Sequence, residues 1–485
     1  MLTARALLIS TSQALARAAE LLVAILLVRL LSPQEWANIA LLLSLYTAAL
    51  GLASFGLPEG MLFFLGRLAP GERRSFLVQT TLLLAICGAV AGALLSGLAP
   101  LLARAPFEVA GLIPVLALAV LLEVPSLAAP QLLIGDERVR EAAAYYAGTA
   151  GLRLGAVTLP IVLGYGVRGA VVGLVFSGAL KLLLHGGLVA WLTPSGPLRL
   201  RWAAVREQLA FTAPLGLTVC ASALTASVGK WLVALWAPAE LGAYAIAGTQ
   251  VPVIPILAVA TGTVLATRMV HAFRHGLIAR AAAYWEASTA RMVVLVAPIT
   301  TAIVLGAPEL IPLLFGRAYS SAVLPFQICS LILLSRIADH GGTLRSAGDT
   351  AALWRGSLLL LGANLLFGIP LTVAFGMLGT AAGAVLSQAV AWVYLLSRIA
   401  AATGQRLGSV VPWKLYGLVL ALSGAAAAAA ALLAGLGPSA PLPRLGVRWA
   451  SFAILFTAGA RALALRRRLP AIPDDHASFR APAAA

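Results

Sequence analysis

Arg17, Glu20, Glu123, Arg153, Lys181, Lys230, Arg336 and Asp339 all fall inside long apolar blocks of the chain. An ionisable side chain in such a block is costly to keep and marks a functional site by default. Two chemistries suit this set. The cations Arg17, Arg153, Lys181, Lys230 and Arg336 outnumber the acids. A cavity lined by them would draw in an anionic headgroup such as a diphosphate, which arginine grips with a planar fork. The acids Glu20, Glu123 and Asp339 are candidates for ion coupling or gating, with H+ or Na+ as the ion. Glu59, at the end of the second block, is a candidate gate partner for Arg67. Blander roles compete with these. Arg17 and Glu20 are three residues apart, share a helical face and could simply neutralise each other. Lys230 and Arg336 lie toward the ends of their blocks, where a long side chain can snorkel to the headgroups.

Covalent and metal chemistry find no support in the residue pattern. There is no Walker lysine motif and no paired-carboxylate motif. His271 and His275 are four apart with no third ligand nearby, and Cys87, Cys220 and Cys329 lack metal spacing. We therefore expect a transporter rather than an enzyme, with no metal and no bound cofactor.

The elements that position these charges are membrane helices. Of 485 residues, 61% are apolar and only 11% charged, less than half the charge of an ordinary soluble domain. Apolar blocks of about 18 residues or more read as transmembrane helices. The blocks place helices one to six near Leu7–Leu30, Trp36–Leu57, Phe76–Ala99, Ala110–Ile134, Ala144–Leu163 and Gly169–Trp191. Helices seven to twelve are expected near Leu209–Trp236, Leu241–Thr267, Met292–Leu314, Ala322–Ala338, Leu353–Phe375 and Met377–Ile399. Helices thirteen and fourteen follow near Leu415–Leu436 and Val447–Leu465. Helix two is open to extension as far as Leu65. In helix four, Pro125 stands two residues after Glu123 and should bend the helix beside the carboxylate. The longest polar connection between helices is Arg268–Arg291.

The net charge of +17 would suggest nucleic acid in a soluble protein. Here the basic residues sit in short loops, where they report topology. With a cytoplasmic N-terminus, the inside loops hold Arg67, Arg73 and Arg74, then Arg138 and Arg140, then Arg199, Arg201 and Arg206. Outside loops are sparser, with Arg29, Arg104, Arg168, Arg317, Arg444 and Arg448. The pattern puts both termini in the cytoplasm and excludes a nucleic-acid partner.

The chain also repeats itself. Pro33 and Glu35 match Pro238 and Glu240, in LLVRLLSPQEWANIAL and WLVALWAPAELGAYAIA. Pro160, Gly166, Gly169, Gly173 and Ser177 match Pro370, Gly376, Gly379, Gly383 and Ser387 at a constant offset. Gly135-Asp136 echoes Gly348-Asp349. The unit is six helices, an even number, so the copies enter the membrane in the same sense. The expected architecture is all-α and integral to the membrane, with about 14 transmembrane helices. Residues 1–195 form one six-helix bundle and 196–405 a second, parallel one. Residues 406–466 carry two accessory helices, whose Ala425–Ala431 run should pack closely on a neighbour. Residues 467–485 form a disordered cytoplasmic tail.

Two turns carry a resemblance. They are Leu31-Ser32-Pro33-Gln34-Glu35-Trp36, and Phe55-Gly56-Leu57-Pro58-Glu59 followed by Arg67. With the repeat they resemble the polysaccharide transporter family of lipid-linked oligosaccharide flippases, in the multidrug/oligosaccharidyl-lipid/polysaccharide exporter superfamily. Trp36-Ala37 departs from the family's usual glycine pattern, which Leu241-Gly242 keeps. The resemblance implies a MATE-like transporter in the bacterial inner membrane. It implies alternating access that flips an undecaprenyl-diphosphate-linked glycan from the cytoplasmic to the periplasmic leaflet. The product would feed O-antigen, capsule or exopolysaccharide assembly through a periplasmic polymerase or ligase, with membrane lipids as the other partners. A peptidoglycan lipid II flippase and an ion-coupled multidrug exporter are the rival readings. Exporters of the latter kind favour acids and aromatics in their cavity over net positive charge.

Overall fold

In lipid, every backbone N–H and C=O must be satisfied within the chain, so apolar blocks become helices. The computed structural model describes residues 2–102, 106–193, 198–249, 265 and 267–471, and among them all regular structure is helical. Helix one runs over Leu2–Leu30. Ser32 then starts helix two, Pro33–Ser54, through a reciprocal capping box with Glu35. Phe55 and Gly56 both adopt left-handed backbone, with φ of 43° and 68°, so the helix stops and restarts as Leu57–Leu65. Helix three is Pro70–Gly97. Helix four is Ile113–Glu123 and Ala129–Gly135, joined by a 3-10 stretch Val124–Ala128 that contains Pro125. The expected irregularity thus begins directly after Glu123. Helices five and six are Val139–Val162 and Gly166–Leu192. Helix seven is Trp202–Trp236, and helix eight opens with Leu241–Ala247. Residues 250–264 and 266 of the expected helix eight lie outside the described residues, as do residues 472–485 of the expected tail.

Helix nine, Ile278–Phe315, corrects the expected boundary. Most of the expected polar loop Arg268–Arg291 is helical. Its Ala-rich sequence favours helix despite the charges. Trp285 is buried within it and donates from Nε1 to the Val410 carbonyl at 2.6 Å. Helix ten is a broken series comprising Arg317–Ala322, Val323–Ser330, Leu331–Ser335 and, after a non-helical link, His340–Ser346. Helices eleven and twelve form one helical run, Thr350–Thr403, interrupted by Gly376 at φ 57° and ψ −137°. Its 54 residues would stretch to about 80 Å as a straight helix, far beyond a hydrocarbon core of about 30 Å. The break makes it two crossings. Helices thirteen and fourteen are Trp413–Gly435 and Pro441–Ala462. The chain is an all-α, multi-pass membrane protein of about fourteen spans.

Matching residues of the repeat hold matching positions. Gly166 and Gly376 both have positive φ, 56° and 57°. A Cβ at Gly166 would stand 3.7 Å from Glu35 Oε1, and one at Gly376 would collide with the Glu240 carboxylate. Gly173 and Gly383 each bring helices into backbone contact, against Ala156 and Gly368 respectively. One difference is informative. Glu35 Oε2 accepts from the N–H and Oγ of Ser32. Ala237 replaces that serine in the second copy, and Glu240 Oε2 instead accepts from the Met377 N–H at 2.7 Å.

The chain packs as two compact units. The first comprises Met1–Pro252, Leu314–Pro325 and Ser357–Ser387. Within it, helices two and seven touch at Gly51 and Ala223 and at Gly60 and Thr212, and Ser227 and Trp231 both bond to Ser44. The second comprises Val253–Leu313, Phe326–Gly356 and Gln388–Ala485. Its core gathers Trp285, Met292, Val296, Ile337, Leu344 and Ile399. The alanine run packs as expected, with Ala426 and Ala430 buried against Phe452 of helix fourteen. Arg448 is a helix residue rather than a loop charge. Its Nη1 lies 2.9 Å from Glu309 Oε2 and pins helix fourteen to helix nine.

Candidate functional site

Glu123 is the last residue of the first segment of helix four and is buried. Lys181 of helix six places Nζ 2.7 Å from Glu123 Oε1. Tyr46 of helix two donates its hydroxyl to Glu123 Oε2. Both carboxylate oxygens are therefore held, and the ion pair is nearly dry, with side-chain exposures of 10% for Lys181 and 5% for Glu123. Arg153 of helix five forms the next layer. Its guanidinium carbon stands 5.5 Å from the Tyr46 ring centroid, and its Nη1 lies 3.9 Å from Glu20 Oε1 of helix one.

Glu20, Arg153 and Lys181 line one cavity of about 290 Å³. Val23, Thr47, Tyr146 and Thr149 complete much of its wall. Helix packing accounts for the convergence, because helix one packs on helix five, helix five on helix six, and helix six on helix four. The four charged residues come from four different helices and Tyr46 from a fifth, so no sequence motif could contain them.

The two ion pairs differ in kind. A short, desolvated pair such as Lys181–Glu123 is strongly coupled, because removing either member strands a buried charge. A long pair with a single contact, such as Arg153–Glu20 at 3.9 Å, holds its members less tightly than one in which both carboxylate oxygens are bonded. Arg153 is therefore the less tightly paired of the two cations. Lys181 also lines the cavity, but with a carboxylate partner already in place.

The other sequence candidates are dispersed. Arg17 lies on helix one, and its side chain is outside the described residues. Lys230 lies in helix seven and does not line this cavity. Arg336 belongs to the second unit and is exposed, in the link that follows Leu331–Ser335. Asp339 caps His340–Ser346 by accepting from the Gly342 N–H at 2.8 Å. Glu59 is exposed. Arg67 lies 3.7 Å over the Phe63 ring, which stacks on Phe211, so an aromatic face rather than Glu59 receives that guanidinium. His185 sits 2.9 Å from Thr81 Oγ1 through Nε2. Tyr46 was not singled out by its sequence, although a lone phenol in LLLSLYTAAL is a detectable signal. Among the described residues, no three His, Cys, Asp or Glu side chains gather as metal ligands.

The family described as polysaccharide biosynthesis protein matches residues 26–324. No curated protein matches the chain by sequence. Several solved structures share its fold. The lipid II flippase MurJ in an inward closed conformation superposes with a TM-score of 0.77 at 11% identity, covering 94% of this chain and 100% of that one. An inward-facing multidrug resistance MATE family transporter of the MOP superfamily gives 0.63 at 15% identity, covering 81% and 96%. A MOP superfamily transporter from Pyrococcus furiosus, described as having a binding pocket of reverse polarity, gives 0.55 at 16%, covering 82% and 96%. At these identities the likeness is one of fold, and it establishes a MATE-like architecture. The MurJ fold accounts for more of this chain than do the two MOP transporters.

Proposed function

We propose that this chain, which belongs to the polysaccharide biosynthesis protein family, flips an undecaprenyl-diphosphate-linked oligosaccharide across the bacterial inner membrane. Movement is from the cytoplasmic to the periplasmic leaflet by alternating access, and both termini are cytoplasmic. The glycan is then available to a periplasmic polymerase or ligase. One observation carries this reading. An intramembrane cavity of about 290 Å³ holds an arginine, Arg153, whose nearest carboxylate is 3.9 Å away and largely exposed. A guanidinium in that setting suits the phosphates of a lipid diphosphate. The MOP transporters leave nearly a fifth of the chain unmatched. Both carboxylates in and beside the cavity face cations, a poor arrangement for an organic-cation exporter.

A lipid II flippase is the second reading, favoured by the coverage of the MurJ fold. Depletion of the protein in its host separates the two. Accumulation of a lipid-linked oligosaccharide on the cytoplasmic leaflet supports the first reading, and accumulation of lipid II supports the second. Altered drug efflux with no lipid-linked intermediate would sink both. Arg153→Ala should reproduce the depletion phenotype while still inserting into the membrane.

A further inference from the structure

We infer that Glu20 is a built-in counter-anion for Arg153, which the incoming diphosphate displaces, so that Glu20 sets how tightly the cavity holds its substrate. The inference rests on reading the cavity as a headgroup site. In and beside the cavity, Arg153 and Lys181 are matched by Glu20 and Glu123. Among the described side chains these four charges sum to zero, so each cation meets an incoming anion with a carboxylate already beside it. Only one of the two carboxylates can yield. Glu123 has both oxygens bonded and is 5% exposed, and moving it would leave Lys181 buried without a counter-charge. Glu20 is 66% exposed and touches Arg153 through a single 3.9 Å approach. It can turn away from Arg153 within the cavity that both residues line, giving up only that one long contact.

The exchange also keeps Arg153 accompanied at each stage. Glu20 partners it in the empty cavity, and the phosphates partner it in the loaded one. A phosphate can take the guanidinium fork through two short charge-assisted bonds, which the present Glu20 geometry does not provide. On release, the return of Glu20 replaces the departing anion. Glu20 is thus a positioning residue that limits affinity, and its carboxylate makes binding reversible.

The test uses the purified full-length protein in detergent, with inorganic pyrophosphate as the probe and titration calorimetry as the readout. Glu20→Gln should bind pyrophosphate about 1.5- to fivefold more tightly than the wild type, the range for a weakly held ion pair. Glu20→Asp should restore wild-type affinity. Arg153→Gln should abolish binding, and adding Glu20→Gln to it should bring no gain, because the two residues act on one contact. Unchanged or weaker binding by Glu20→Gln overturns the inference. So does a gain that persists without Arg153, or no detectable binding by Glu20→Gln. Loss of binding in Arg153→Gln without a gain in Glu20→Gln removes the counter-anion but leaves the headgroup site standing. Undiminished binding by Arg153→Gln removes the headgroup site itself. Size-exclusion profiles identify any variant that fails to fold.

Discussion

Lys181→Met breaks the driest ion pair in the cavity region. Unit charges 2.7 Å apart attract by about 6 kcal/mol at an effective dielectric of about 20. Desolvation of both groups offsets most of that in the intact pair, so the pair itself adds little net stability. Removal of one member behaves differently, because it strands the other and costs about 3–5 kcal/mol. In Lys181→Met, Glu123 keeps its hydrogen bond from Tyr46, which places the loss near 3 kcal/mol, the lower end of that range. In Glu123→Gln, Lys181 loses its only ion-pair partner among the described residues, and the loss should approach 5 kcal/mol. The double variant removes both charges together and should return to within about 1 kcal/mol of the wild type. The assay is denaturant unfolding in detergent, followed by the fluorescence of the ten tryptophans. A double variant as unstable as either single variant would refute the reasoning.

Gly376→Ala should destabilise the protein by about 1–3 kcal/mol, since its backbone is left-handed in φ and a Cβ there meets Glu240. Glu240→Ala, which removes the acceptor for Met377, should cost about 1.5–3 kcal/mol in the same unfolding assay. Arg448→Ala strands the buried Glu309 and should cost about 3–5 kcal/mol, largely recovered by adding Glu309→Leu. A wild-type unfolding curve for Arg448→Ala would show that helix fourteen does not depend on this pair. Gly173→Val forces a side chain into the Ala156 backbone and should abolish monodisperse protein on size exclusion. Alkaline phosphatase fused after helix one should be active, and fused after helix two inactive. The reverse pattern would invert the proposed orientation.

Much of the fold is legible in the chain because membrane insertion reads local composition. Apolar block length gives the helices, and Pro125 announces the irregularity that begins after Glu123. The matched pair Gly166 and Gly376 marks two equivalent turns, which the structure builds with nearly equal φ. The boundary of helix nine was not legible, because hydropathy registers the charges of Arg280–Arg291 and misses the packing of Trp285 that keeps them helical. The candidate site was half legible. Hydropathy shows that Glu20, Glu123, Arg153 and Lys181 are expensive, and so names them. It cannot show who neutralises whom, since Lys181 meets a carboxylate 58 positions away and Arg153 meets one on helix one. Asp339 carries the same sequence signal as Glu123 yet caps a helix. The sequence by itself determined which side chains need a partner, through the cost of a charge in an apolar setting. Only the tertiary structure decided the pairing, because ion pairs depend on distances of a few ångströms between helices, which the order of residues does not contain. That pairing holds Lys181 at 2.7 Å from its carboxylate and Arg153 at 3.9 Å from its own.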